Sequence, residues 1–143
     1  MSLRLFPDVN VWVALHHQAH THHERALEWF EQLDPQSSLV FCRQTQIGLF
    51  HLLTSAMVMG DEVLTQRQCW TLYQQWISAG KASLQSEPIE VAQTFEQHTT
   101  TDSSSPKEWV DAYLAAFAET AGLTLVTFDR TLAGKTKGAV LLS

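Results

Sequence analysis

Short apolar runs alternate with segments of helical periodicity along the whole chain, and this alternation restricts the fold more than any other feature of the sequence. Leu3 to Pro7 reads as a buried strand, and the apolar residues Val9, Val11, Trp12, Val13 and Leu15 read as the helix that follows it. Thr21 and Glu24 have the spacing of a capping box, and His23, Ala26, Leu27, Phe30 and Leu33 then recur at helical intervals, predicting a helix over about 22–33. After Asp34-Pro35, Leu39 to Cys42 reads as a second buried strand, with Ile47 to Leu53 in the helix beyond it.

The pattern then repeats. Thr65 to Ser78 reads as a helix closed by Gly80, Ala82 to Leu84 as a short strand, and the segment from Pro88 to about His98 as a further helix. The polar stretch 99–105 is expected to be an exposed loop. Ser105-Pro106-Lys107-Glu108 reads as a helix start, with Ser105 as N-cap, Pro106 in the first helical position and Glu108 reaching back to the cap; Gly122 ends the helix near Ala121. Leu123 to Phe128 forms the next buried strand, and Ala139 to Leu142 the last, after a turn containing Gly and Lys. The expected fold is therefore α/β, with a mostly parallel sheet of four or five strands and helices on both faces.

At 143 residues, 45% of them hydrophobic, the chain suffices for one such core, and residues 1–143 are read as one domain. Cys42 and Cys69 lack CxxC spacing, which suggests neither a disulfide framework nor a thiolate metal site and fits a reducing cytoplasm. The apolar N-terminal stretch is interrupted at Asp8 and Asn10 and is too short for a membrane span. A formal charge of −6 argues against nucleic-acid binding through a general basic surface. An RNA substrate would need a metal or a local basic patch.

Ligands of open parallel sheets bind outside the carboxyl ends of the strands, which is where Asp8 and Asp129 fall. An N-capping role explains either residue equally well. Asp111 lies in the second turn of the helix before the Asp129 strand, flanked by Trp109, Val110, Ala112 and Tyr113. It needs a partner there unless it lies on the exposed side of the helix. If the three acids converge, their repulsion calls for a divalent cation, and hard oxygen ligands suit Mg²⁺ or Mn²⁺, which can orient a water and neutralise charge on a phosphodiester.

Phe6-Pro7-Asp8-Val9-Asn10-Val11-Trp12, Trp109-Val110-Asp111-Ala112-Tyr113 and Leu125-Val126-Thr127-Phe128-Asp129 together resemble the acidic motifs of PIN-domain ribonucleases, specifically toxins of the VapC type. The resemblance spans nearly the whole chain. It implies a three-layer α/β/α fold and a ribonuclease that is Mg²⁺- or Mn²⁺-dependent, commonly dimeric and held inactive by a cognate antitoxin. Asp8, Asp111 and Asp129 match the family's acidic positions, while Asn10 and Thr127 match polar positions beside them that can orient a carboxylate or serve only the backbone. The family often carries a Glu on the helix after the second strand, where this chain has Gly48 within Thr45-Gln46-Ile47-Gly48. This TQ-x-G form resembles a recognised branch and leaves three acids, with Gln46 or water available to complete the ligand shell.

Arg43, Lys107, Arg130, Lys135 and Lys137 are candidate phosphate contacts, or ordinary surface charges. The cluster His16, His17, His20, His22 and His23 is read as polar packing around a helix entry rather than as a metal site, since no HExxH spacing follows. Trp12 and Trp109 are expected in the core, and Trp29, Trp70 and Trp76 in the core or at dimer contacts. A phosphatase that uses Asp8 as nucleophile would want a second Asp at position 10, and the glycines form neither a GxGxxG nor a P-loop. The remaining alternatives are an inactive protein-binding module of the same fold and a PIN nuclease in RNA processing.

Overall fold

The computed structural model describes residues 3–143. Five strands form one sheet: β1 (Arg4–Pro7), β2 (Ser38–Phe41), β3 (Ala82–Leu84), β4 (Thr124–Thr127) and β5 (Val140–Leu141). They lie in the order β3-β2-β1-β4-β5, and every pairing is parallel. The helices are α1 (Val9–His16), α2 (His23–Glu31), α3 (Arg43–Leu53), α4 (Ala56–Met59), α5 (Gln66–Ser78), α6 (Val91–His98), α7 (Lys107–Ala121) and α8 (Arg130–Lys135).

Because side chains alternate across a strand, the buried runs divide into two cores. Leu5, Leu39, Phe41 and Val126 face one layer with Trp12, Leu49, Leu53 and Tyr73, from α1, α3 and α5. Phe6, Val40, Cys42 and Leu125 face the other with Leu114, Phe117 and Leu132, from α7 and α8. Trp12 is fully buried, its ring stacked 4.1 Å from that of Phe41 and met edge-on by Trp76. The three-layer arrangement expected from the alternation is therefore present, and burial on both faces explains why its strands read as unbroken apolar runs.

Several local expectations are corrected. Thr21 does not cap the second helix, which begins at His23 with His22 as an N-cap making no side-chain hydrogen bond. The imidazoles organise this entry instead: His23 Nδ1 lies 2.6 Å from the Ala14 carbonyl, His22 stacks on Phe128, and the His22 N–H donates to His20 Nδ1. Ser105 is likewise not the side-chain cap of α7, since the cap position falls on Pro106. Pro106 has φ −61° and ψ −30°, already helical, and the Ser105 carbonyl accepts the Glu108 N–H at 3.2 Å. The backbone thus closes the turn assigned to side chains. Two short helices, α4 and α8, are additions to the expected elements; α8 occupies part of the turn expected between the last two strands. At Thr65 the capping box with Gln68 forms as its spacing suggests.

Gly48 has a packing role. A Cβ at this position would stand 2.7 Å from Cγ2 of Val9, so α3 meets α1 at a distance that only glycine allows. Val9 is β-branched and held near one rotamer in its helix, which limits its ability to yield. A Gly48→Ala substitution gains about 1 kcal/mol of helix propensity and loses about 1–3 kcal/mol to overpacking. The expected outcome in urea unfolding is a net loss of stability in the native background. The same substitution should be stabilising when Val9 is Ala, a sign change that reports the contact directly.

Candidate active site

The chain runs from β1 outward to β2 and β3, then returns to lay β4 on the other side of β1. The crevice beyond the carboxyl ends of β1 and β4 is thus the topological switch point, where open α/β sheets bind ligands. Asp8 directly follows β1, and its N–H donates to the Val126 carbonyl of β4 at 2.9 Å, locking the two strand ends together. Its Oδ1 accepts the Val11 N–H at 3.1 Å and caps α1. Its Oδ2 accepts a short hydrogen bond from the Thr127 hydroxyl, whose oxygen in turn accepts the Asp129 N–H at 2.9 Å. Asp129 caps α8 through Oδ1, which accepts from Thr131 at 2.8 Å and Leu132 at 3.2 Å. Both strand-end aspartates are therefore helix caps, each with a second oxygen turned away from its cap.

Asp111 has no such role. It is only 6% exposed, and its Oδ2 is buried with no hydrogen-bond donor among the described residues. Burial raises its pKa above the ordinary aspartate range, and the charge of Asp129 adds to the rise. Burial also raises that of Asp8, against the lowering effects of Thr127 and the backbone N–H groups of Val11 and Asn10. Asp129 is lowered instead, chiefly by the Lys107 ammonium, whose Nζ lies 2.7 Å from Oδ2. Lys107 also interacts with Asp111 and Asp8, so one largely exposed ammonium acts on all three carboxylates.

Among the described residues, no three acidic, thiol or imidazole side chains already close on one point as a metal cage. The donor chemistry nonetheless suits a hard divalent cation: carboxylate oxygens alone, two of the acids stiffened by helix caps and the third carrying an orphaned buried oxygen.

The surrounding polar residues divide. Thr127 is fully buried and bridges Asp8 to the backbone of Asp129. Asn10 is exposed and meets Asp8 through its backbone N–H. Gln46 is buried, but its carbonyl accepts from Arg43 at 2.6 Å and its side chain also bonds Tyr73, so the structure joins Gln46 and Arg43 to each other. Arg130 is exposed at the start of α8. Trp109 corrects the expectation of a core residue: it is 57% exposed. The buried run of α7 begins at Asp111, and Trp109 lies in the first turn of the helix, ahead of it. The histidines are occupied in packing. His16 accepts from Trp76 Nε1 at 2.9 Å and places Nδ1 2.7 Å from the Trp12 carbonyl, and burial lowers its pKa. His17 Nδ1 lies 2.6 Å from Glu62.

A model of the PIN domain matches residues 5–137. The chain belongs to the PIN-domain family. It is 36% identical over 129 residues to ribonuclease VapC41 of Mycobacterium tuberculosis, an alignment covering 87% of this chain and 88% of that one. Among solved structures, VapBC2 from Rickettsia felis, bound to a DNA fragment from its promoter, superposes with a TM-score of 0.68 at 12% identity and 97% coverage of each chain. Mycobacterium tuberculosis VapC20, a toxin that cleaves the sarcin-ricin loop, superposes with a TM-score of 0.65 at 15% identity, covering 91% of this PIN domain and 93% of that chain. These structural likenesses establish the PIN fold.

A folded-state pKa above the unfolded value means that an ionised Asp111 opposes folding at neutral pH, and that the penalty disappears as pH falls below the ordinary aspartate pKa of about 3.9. Asp111→Asn should therefore melt at a higher temperature than the wild type near pH 8, and the difference should shrink steadily towards pH 4. Thermal unfolding followed by circular dichroism across that range checks the direction and the pH trend together.

Proposed function

We propose that this PIN domain, acting as one unit over residues 1–143, is a divalent-metal-dependent ribonuclease and the toxin of a VapBC-type pair, with Mg²⁺ or Mn²⁺ held by Asp8, Asp111 and Asp129. The observation that carries the reading is the buried, unpartnered carboxylate oxygen of Asp111 in electrostatic contact with Asp129 at the switch point. The 36% identity to a ribonuclease over most of both chains favours RNA as substrate. The likeness to VapBC structures and to FitAcB from Neisseria gonorrhoeae favours a cognate antitoxin as partner. A homodimer in the cytoplasm completes the proposal; no helix among the described residues is long and apolar enough to cross a membrane.

The cation, when bound, would activate a water and offset the negative charge that builds on the phosphodiester in the transition state. The chain supplies the rest. Asp8 is held in orientation by the α1 backbone on one oxygen and by Thr127 on the other, and Asp129 by the first turn of α8. Thr127 donates to Asp8 while accepting from Asp129, so displacing either aspartate disturbs the other. Lys107 reaches Asp129 from an exposed position and can swing to a phosphate oxygen of arriving RNA. Arg130, Asn10 and Arg43 are assigned to the rim of the site, with buried Gln46 acting through its hydrogen bond to Arg43.

RNA cleavage by purified protein should require Mn²⁺ or Mg²⁺ and stop with chelator. Asp8→Asn, Asp111→Asn and Asp129→Asn should each lower the rate by about 100-fold or more, and Thr127→Ala by about 10- to 100-fold as a residue acting through the ligands. Equal rates in wild type and Asp111→Asn would rule out the three-acid assignment. Lys107→Ala should leave the unfolding midpoint essentially unchanged, because its ion pair is solvent-screened. The same variant should weaken RNA binding, as a filter-binding titration can show.

A further inference from the structure

A cavity of about 340 Å³ lies beside the acidic site, bounded by the end of α6, the 99–105 loop, the first half of α7 and Lys135 at the end of α8. Its floor is Ala112 and Ala115, whose small side chains leave the hollow open. Glu108 and Lys135 stand at it as a loose pair, Oε1 to Nζ 3.7 Å. Trp109 borders it with more than half its surface free, its one aromatic neighbour outside the cavity being Phe95, 6.0 Å away between ring centres. The acidic site and the cavity share α7 and α8: Asp111 lies three residues, about 4.5 Å of helix rise, beyond Glu108, and the charges of Glu108 and Lys135 are both felt at the Asp111 carboxylate.

We infer that this cavity receives one unstacked base of the RNA, from a nucleotide adjoining the cleaved phosphate; the inference rests on the ribonuclease reading above. Single-stranded RNA is recognised by proteins that splay out a base, stack it on an aromatic ring and bond its edge. Trp109 is the stacking surface. Glu108 accepts from ring or exocyclic N–H groups, and Lys135 donates to a ring nitrogen or carbonyl, so the loose pair opens onto a base edge that carries both donors and acceptors. Hydroxyls of Thr101 and Ser105 line the entrance from the loop. A base held here fixes which phosphate reaches the carboxylates, and thereby where the strand is cut.

The test uses short fluorescent single-stranded RNAs in which one abasic ribose is stepped through every position. Binding is measured by anisotropy in chelator, and cleavage is measured separately with Mn²⁺. The wild type should lose about tenfold in affinity when the base is missing at one position, the one beside the cut, and little elsewhere. Trp109→Ala, exposed and so not needed for folding, should bind the intact RNA about tenfold more weakly and lose that positional dependence. Ala112→Leu, which fills the hollow with a good helix former, should do the same, with its melting curve confirming a folded protein. Cleavage by wild type without any single sensitive position, or variants as sensitive as wild type, would overturn the base pocket and leave the ribonuclease standing. Failure of the wild type to bind or cleave any of these RNAs would overturn both.

Discussion

Three carboxylates gathered at one edge of a sheet repel one another, and the local structure around them is organised to tolerate that repulsion. Asp8 and Asp129 cap the helices that follow their strands, so the backbone N–H groups of α1 and α8 neutralise part of each charge. Thr127 lies between the two and ties both to the end of β4. Lys107 brings a full positive charge into contact with Asp129, and its charge and that of Lys135 act on Asp111. Asp111 receives none of these supports on its buried oxygen, so the fold opposes its ionisation, as burial does that of Asp8, and a cation would stabilise it.

The sheet order is what brings these groups together. With β1 central and β4 beside it, two strand ends distant in sequence become neighbours, and the Asp8 N–H to Val126 carbonyl bond fixes their relative height. The close seating of α3 on α1 at Gly48 occupies the place where many PIN domains carry a Glu. A longer side chain there would have to displace Val9, the residue next to Asp8. The absent fourth acid is therefore a matter of packing around the site as well as of charge.

The α/β alternation was legible because strands covered on both faces become apolar runs, and because Gly80 and Gly122 punctuate the helices that precede β3 and β4. Asp8 and Asp129 were legible from their places at strand ends. Asp111 was not, since its direction depends on how α7 packs against α8 and β4; the family motif is what assigns it to the site. The capping readings at Thr21 and Ser105 failed where tertiary contacts and an already helical Pro106 replaced side-chain caps. Short α8 escaped notice because six residues show little periodicity, although Asp129 at its start was the signal. Trp109 is exposed because it stands in the first turn of α7, before the buried run that begins at Asp111.

Asp8, Asp111 and Asp129 are proposed as the ligands of one cation centre. Crystals grown with Mn²⁺ and a short RNA, with diffraction data recorded at the manganese edge, test it most directly. The expected result is an anomalous peak within coordination distance of all three carboxylates, with Lys107 displaced from Asp129. A peak among His16 to His23, or an ordered RNA with no peak at the three acids, would contradict it.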